Sequence, residues 1–253
     1  MPACAQSRDV EESLSLRDDD AENGLTLSAG IDFSTGHYGE VDSTDILIVP
    51  INLRLRTSDR FSISVSMPYV RISGSNVVLG PDGKPLPGLP TARSVRSGIG
   101  DVSLSGTYAL LAGDSPWMVD VTARVKLPTS PRARGLSTGK TDFSASAEIT
   151  YVTGQWAPFA SIGYRLPGKL PGVGLRNSLT ASVGTSWISG KNAVILSYDF
   201  EQAISPLSED GHSLFLAYSL PASKALRVTL YGIAGLSQGS PSVEGGLLLS
   251  MRL

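Results

Sequence analysis

The stretch Phe61-Ser-Ile-Ser-Val-Ser-Met67 puts an apolar side chain on every odd position and serine on every even one. That is the two-residue period of a strand with one apolar and one polar face. Leu25-Thr-Leu-Ser-Ala-Gly-Ile-Asp-Phe33 has the same form: Leu25, Leu27, Ala29, Ile31 and Phe33 alternate with Thr26, Ser28, Gly30 and Asp32. Asp101-Val-Ser-Leu-Ser-Gly-Thr-Tyr108 continues it with Val102, Leu104 and Tyr108. A helical period of 3.6 residues stands out nowhere.

Working outward, the pattern predicts about twelve strands: roughly 24–34, 45–57, 60–72, 99–112, 116–127, 141–153, 155–166, 177–188, 191–203, 212–220, 224–236 and 242–253. Each is close to the ~9–11 residues that a tilted strand needs to cross a bilayer, and longer than the ~5–6 usual in globular proteins. A soluble sandwich would not call for such uniform length. The connections alternate as well. Those near Ser58-Asp59, Gly113-Asp114, Gly154, Ser189-Gly190 and Pro221-Ser223 are short, and those near 35–44, 73–98, 128–140, 167–176, 204–211 and 237–241 are mostly longer. Short turns on one side and long loops on the other are the habit of outer-membrane barrels. The expected fold is therefore all-β, a transmembrane antiparallel up-and-down barrel over residues 24–253, with both termini periplasmic.

Composition agrees. Charged residues make up 17% of the 253, below the roughly 25% of soluble domains. No run approaches the ~18 apolar residues of a membrane helix. With Cys4 the only cysteine, no disulfide forms within the chain. Ala3-Cys4-Ala5-Gln6 reads as the small-residue end of a signal peptide, so residues 1–5 are expected to be its remnant; an arbitrary start or a lipoprotein cysteine are the alternatives. Residues 8–22 carry seven acids and two bases, which makes 6–23 an acidic tail, solvated and flexible by default. A short helix or a lumen plug is the other reading. The rest of the chain is slightly basic.

The aromatic residues Tyr69, Tyr108, Trp117, Tyr151, Trp156, Tyr164, Trp187, Tyr198 and Tyr218 share the apolar parity and lie often near strand ends. Interfacial girdles collect aromatics there, although aromatics also favour strands generally. The opposite parity holds Asp32, Arg54, Arg56, Asp101, Asp120, Arg124, Lys126, Asp142, Glu148, Arg165, Asp199, Glu201, Arg227, Glu244 and Arg252. In a barrel these line the lumen, since a charge on the lipid face costs ~2–4 kcal/mol at the midplane. They should pair across strands, because buried charges need partners. Twelve strands lie between a side-chain-filled eight-stranded barrel and the broad channel of sixteen or more. That makes a narrow, charged pore or a lumen closed by an inward loop the natural outcomes, and the Pro- and Gly-rich segment 73–98 the candidate constriction.

Three of the long loops are basic: Lys84, Arg93 and Arg96 in the second, Arg132, Arg134 and Lys140 in the third, and Arg165, Lys169 and Arg176 around the fourth. They would either draw anionic solutes inward or contact lipopolysaccharide phosphates. Enzymatic and nucleic-acid readings find little. Only His37 and His212 exist to serve a Ser/His or Asp/His site. No G-x-S-x-G elbow, H-E-x-x-H or Walker A sequence is present, and the Ser-Pro-Arg-Ala-Arg-Gly run lacks an aromatic platform. No cofactor or metal is called for. The partners expected are outer-membrane lipid, lipopolysaccharide and a small solute. A lipid-hydrolysing barrel, and a closed structural or adhesion barrel, are the rival functions.

Three segments carry a family resemblance: Ser66-Met-Pro-Tyr-Val-Arg71; Gly98-Ile-Gly-Asp-Val-Ser-Leu-Ser-Gly-Thr-Tyr108; and Val125-Lys-Leu-Pro-Thr129, leading through Gly135-Leu-Ser-Thr-Gly139 to Asp142 and Tyr151. Over residues 66–151 the chain resembles the outer-membrane family named for the MetA pathway of phenol degradation. Ser130 stands where that family usually has glycine, and Ser137-Thr-Gly139 stands for its Gly-Thr-Gly. The resemblance implies a barrel that takes up aromatic or other hydrophobic small molecules.

Overall fold

A computed structural model describes residues 24–74, 78–86, 94–111, 115–170 and 172–253, with Ala133 by its backbone only. The tail 6–23, the remnant 1–5, the turn at Gly113-Asp114 and Arg93 lie outside the described residues. Among the described residues thirteen strands follow one another: β1 (Gly24–Gly36), β2 (Thr44–Ser58), β3 (Phe61–Gly74), β4 (Ser94–Ile99), β5 (Val102–Leu111), β6 (Trp117–Leu127), β7 (Asp142–Tyr151), β8 (Trp156–Leu166), β9 (Ser178–Ser189), β10 (Asn192–Glu201), β11 (Gly211–Pro221), β12 (Leu226–Gly235) and β13 (Val243–Arg252). All pairings are antiparallel, between strands consecutive in the chain except that β3 takes both β4 and β5, and β13 pairs back onto β1. The sheet is a closed barrel.

β4 and β5 together fill one place in the wall, since both pair with β3. The wall therefore has twelve positions. The sequence expectation of a single strand over 99–112 is corrected here: the strand begins at Ser94 and breaks at Gly100-Asp101. The register shows why. Tyr69 pairs with Ile99 and Ser66 with Ser103, so two residues of β3 face three of the other chain segment. This is a β-bulge, and it reverses which parity faces inward. In β4 the even positions are the less exposed, and in β5 the odd ones.

Alternation fixes the two faces. Leu27, Ile31, Leu53, Val65, Leu104, Val121, Ile162, Val183, Leu216, Leu230 and Leu249 point outward with the nine aromatics named above, and most of these are exposed. Trp117 and Tyr151 meet with centroids 4.6 Å apart, and Trp156 pairs with Trp187. Both pairs lie at the end of the barrel where the turns are short. An outer surface so apolar is stable only in lipid. Leu216 is 54% exposed and its neighbour Phe215 1%. Leu216→Arg should then cost ~2–4 kcal/mol of folding stability in lipid. Urea titration in vesicles checks this, as does heat-dependent gel migration.

The interior is not charged throughout, which sharpens the sequence reading. Ala193, Ile195, Phe215, Ala217, Tyr231 and Ile233 form an apolar cluster inside β10–β12, with Phe159 and Ile188 against it. These strands are apolar on both parities, so alternation alone hides their inner face. Gly246 gives Tyr231 its room: a Cβ there would stand 2.5 Å from the Tyr231 hydroxyl. That hydroxyl donates to Asp32 Oδ2 at 2.6 Å.

Candidate functional site

The bulge at Gly100-Asp101 turns Asp101 into the barrel, where it is buried. Asp101 accepts Ser130 N at 2.9 Å and the Ser137 hydroxyl, both from the loop after β6. Lys126, at the end of β6, lies between it and Asp142, 2.8 and 2.6 Å from their carboxylate oxygens. Asp142 in turn accepts Gly168 N at 2.7 Å, from the loop after β8. Two long loops are thus tied to one cation. The motif residues Asp101, Lys126 and Asp142 make this latch.

A third loop folds into the barrel mouth. Residues 78–86 form a small hairpin, with Leu79 bridged to Pro85 and Gly80 N bonded to Lys84 O at 2.7 Å. Leu79 packs with Tyr38, Ile46, Ile48, Val70, Ile72 and Leu136 on one side. Leu86 packs with Leu170 and Ile204 on the other. Between these anchors Lys84 Nζ reaches Glu201 Oε2 at 2.8 Å and Gly239 O at 2.7 Å. Glu201 also takes Arg165 Nη1 at 2.5 Å. Asp82 is buried at the hairpin turn, accepting Lys84 N at 3.2 Å. Burial pushes its carboxyl up from the usual range and the nearby Glu201 adds to this, against the opposing pull of Lys84 and Arg165.

Beneath the hairpin is a cavity of about 200 Å³. Ile48, Pro68, Val70, Leu79 and Leu136 make one side of it apolar, while Ser66, Ser103, Thr122, Ser144, Ser146 and Thr180 bring hydroxyls, with Arg124, Lys126 and Arg165 among them. The lumen is therefore open on the side of β3 and β5–β9, and filled by apolar side chains on the side of β10–β12.

No protein-family model matches the sequence, and no curated protein resembles it in sequence. Solved structures do resemble the fold. The COG4313 outer membrane channel from Pseudomonas putida F1 aligns with a TM-score of 0.68 at 14% identity, over 94% of this chain and 98% of that one. The KdgM porin aligns at 0.55 and 7% identity, over 90% and 99%. The translocator domain of the autotransporter NalP from Neisseria meningitidis aligns at 0.54 and 10%, over 99% and 97%. The fold is that of an outer-membrane barrel.

Within this barrel the residues singled out in the sequence fall into groups. Asp101, Lys126, Asp142, Arg165 and Glu201 are brought together around the hairpin and its latch. Asp199 accepts the hydroxyls of Ser182 and Ser197 at 2.5 and 3.0 Å. Asp32 and Glu244 are buried near Tyr231. Toward the short-turn end, Arg54 donates to Ser62 Oγ at 3.1 Å, and Arg227 to Lys191 O at 3.1 Å. Arg56, Asp120, Arg124 and Glu148 are half-buried on the inner parity, while Arg252 is exposed. Asp120 and Glu148 are register partners.

Two of the supposed loop cations are corrected. Lys84 is not a surface charge, because its hairpin turns inward and a carboxylate meets it there. Arg96 is half-buried in β4, not in a loop. Arg132, Arg134, Lys169 and Arg176 are exposed, and Arg176 Nε donates to Ala203 O at 2.9 Å. Neither histidine lines the cavity. His37 Nδ1 lies 3.1 Å from Val41 O, and His212 Nδ1 lies 2.6 Å from the Tyr198 hydroxyl. Sequence reading missed the inward residues Ile46, Ile48, Val70 and Ile72. Their signal was present, as unbroken apolarity over Ile46-Leu-Ile-Val49.

Proposed function

We propose that this chain is an outer-membrane channel for small solutes, not an enzyme, with the 78–86 hairpin as its gate. The observation that carries the reading is the hairpin itself, folded across the mouth over a cavity that hydroxyl and charged side chains share with apolar ones. The long loops then face the cell exterior, and the short turns and both termini the periplasm. The likeness to the COG4313 channel supports a channel role. The three sequence motifs support a place in the phenol-degradation transporter family and a hydrophobic or aromatic solute. The exposed cations Arg132, Arg134, Lys169 and Arg176 contact lipopolysaccharide phosphates at the rim. Neither histidine has a place on the solute path, which disfavours the hydrolase.

In a planar bilayer the protein should give discrete, infrequent openings, and silence with verified insertion would overturn the channel. The gate should also respond to pH. With the hairpin seated, the Asp82 carboxyl titrates above its ordinary value, so the seated state binds that proton more tightly than the withdrawn one. Protonation favours the seated hairpin. That stabilisation is complete below the ordinary carboxyl value and is lost as pH rises through the raised one. Conductance should therefore fall on acidification, and Asp82→Asn should flatten the dependence; currents recorded across the acid-to-neutral range check it.

A further inference from the structure

The Lys84 ammonium occupies a seat that the barrel builds without it. Glu201 ends β10, Gly211 opens β11, and Gly239 and Ser240 lie in the loop between β12 and β13. Glu201 Oε2 and Gly239 O meet the ammonium at 2.8 and 2.7 Å. Gly211 clears the space: a Cβ there would stand 2.9 Å from Lys84 Nζ and 3.1 Å from Gly239 O. Arg165 holds Glu201 by its other oxygen, Oε1, so the carboxylate stays oriented whatever Lys84 does.

Beside the ammonium lies a recess of about 20 Å³, room for a single water. Asp199, Glu201 and Glu244 line it, and Lys84 is the one cation among its described lining residues. Thr180 and Ser240, 7% and 5% exposed, also line it, and their hydroxyls find no protein partner among the described residues. The seat thus offers a carboxylate, a carbonyl and unspent hydroxyl acceptors to the three N–H donors of an ammonium. Its occupant is brought by the hairpin, through a turn at Gly83 with φ 77°. The Lys84 side chain is 15% exposed, so the seat is reached from the mouth. When the hairpin withdraws, the ammonium leaves with it, while Glu201, Gly211 and Gly239 stay with the wall.

We propose that the Lys84 seat is a binding site for primary alkylammonium ions, which open the hairpin gate by taking the place of Lys84. The inference rests on the gate reading above. The ligand class follows from the contacts. The head must carry N–H donors for Glu201 and Gly239, and Ile233 and Pro241 give a short alkyl chain an apolar edge. A quaternary ammonium has the charge but no N–H, and its methyl groups exceed the clearance that Gly211 leaves. A ligand shifts a two-state equilibrium toward the state that it binds more tightly. In the wild type the seated hairpin fills the seat, so the ion binds the withdrawn state. In Lys84→Ala the preference reverses, because the seated hairpin then leaves a lysine-shaped space that encloses the ion from both sides.

The probe is n-butylammonium, the lysine side chain without its backbone, and the control is butyltrimethylammonium at the same concentration. The ratio of open to closed time is recorded in planar bilayers for the wild type and Lys84→Ala, both checked for folding by heat-dependent gel migration. Butylammonium should raise that ratio in the wild type and lower it in Lys84→Ala, by about tenfold at ten times its dissociation constant. Butyltrimethylammonium should do neither. A change of the same sign in both proteins, or in neither, overturns the site, and so does an equal effect of the control. Isothermal titration in detergent reads binding apart from gating. Butylammonium should bind Lys84→Ala, and the further change Gly211→Ala, whose methyl group fills the seat, should abolish that binding. No binding to Lys84→Ala overturns the site even where the gate stands. Lys84→Ala that binds butylammonium but gates as the wild type does overturns the gate reading and leaves the site.

Discussion

Lys84→Ala should raise the time-averaged conductance of reconstituted protein by about tenfold or more. Lys84 makes two contacts that hold the hairpin in the mouth, one to Glu201 and one to the Gly239 carbonyl, at 2.8 and 2.7 Å. Hydrogen bonds involving a charged group contribute roughly 1.5–3 kcal/mol each, and every ~1.4 kcal/mol is a factor of ten in the ratio of seated to withdrawn hairpin. Glu201 keeps Arg165 as a partner, so its own site does not collapse when Lys84 is gone. The fold should survive, because the wall ladders do not involve this side chain. Single-channel recording in planar bilayers is the measurement. Long openings at unchanged gel migration are the expected result, and wild-type gating would mean that the apolar contacts of Leu79 and Leu86 alone hold the hairpin. Lys84→Arg should sit between the two, its charge kept but its guanidinium too broad for a point contact.

The barrel was legible in the sequence because lipid enforces its rule on every outward position. Serine on the even positions of 61–67 has no reason to alternate so strictly unless its neighbours face hydrocarbon. Loop asymmetry carried the topology for the same kind of reason: a turn of two residues leaves no freedom, and a long loop leaves a great deal. What alternation does not constrain is the inner face, where serine, arginine, isoleucine and glycine are all tolerated. Ile195, Phe215 and Ile233 were therefore invisible as lumen residues, although they pack together inside β10–β12. The bulge was equally hidden. Gly98-Ile-Gly-Asp101 reads as a smooth strand opening, and only the pairing of Ser66 with Ser103 reveals the extra residue. The inward fold of Lys84 depends on contacts with Glu201 and Gly239, more than a hundred residues away, and no local pattern encodes it.

Lys126→Met should be the most damaging single substitution in the mouth, costing about 3–5 kcal/mol, the range for removing one partner from a buried ion pair. The side chains of Asp101 and Asp142 are 4% and 5% exposed, and Lys126 stands within 2.8 Å of both. Without the ammonium, two buried carboxylates face one another with no cation between them. Each is also an anchor, Asp101 for Ser130 and Ser137, Asp142 for Gly168, so repulsion there loosens two loops at once. The expected signature is a lower urea midpoint in vesicles with faster trypsin cleavage at the exposed Arg132 and Arg134. A packing defect left by the thioether at this position would give the same first observation, and a compensating change separates the two causes. Lys126→Met with Asp142→Asn removes one of the opposed charges and leaves an amide oxygen to accept Gly168 N. If charge is the cause, the pair of substitutions should recover more than half of the lost stability. If packing is the cause, the second substitution should recover none.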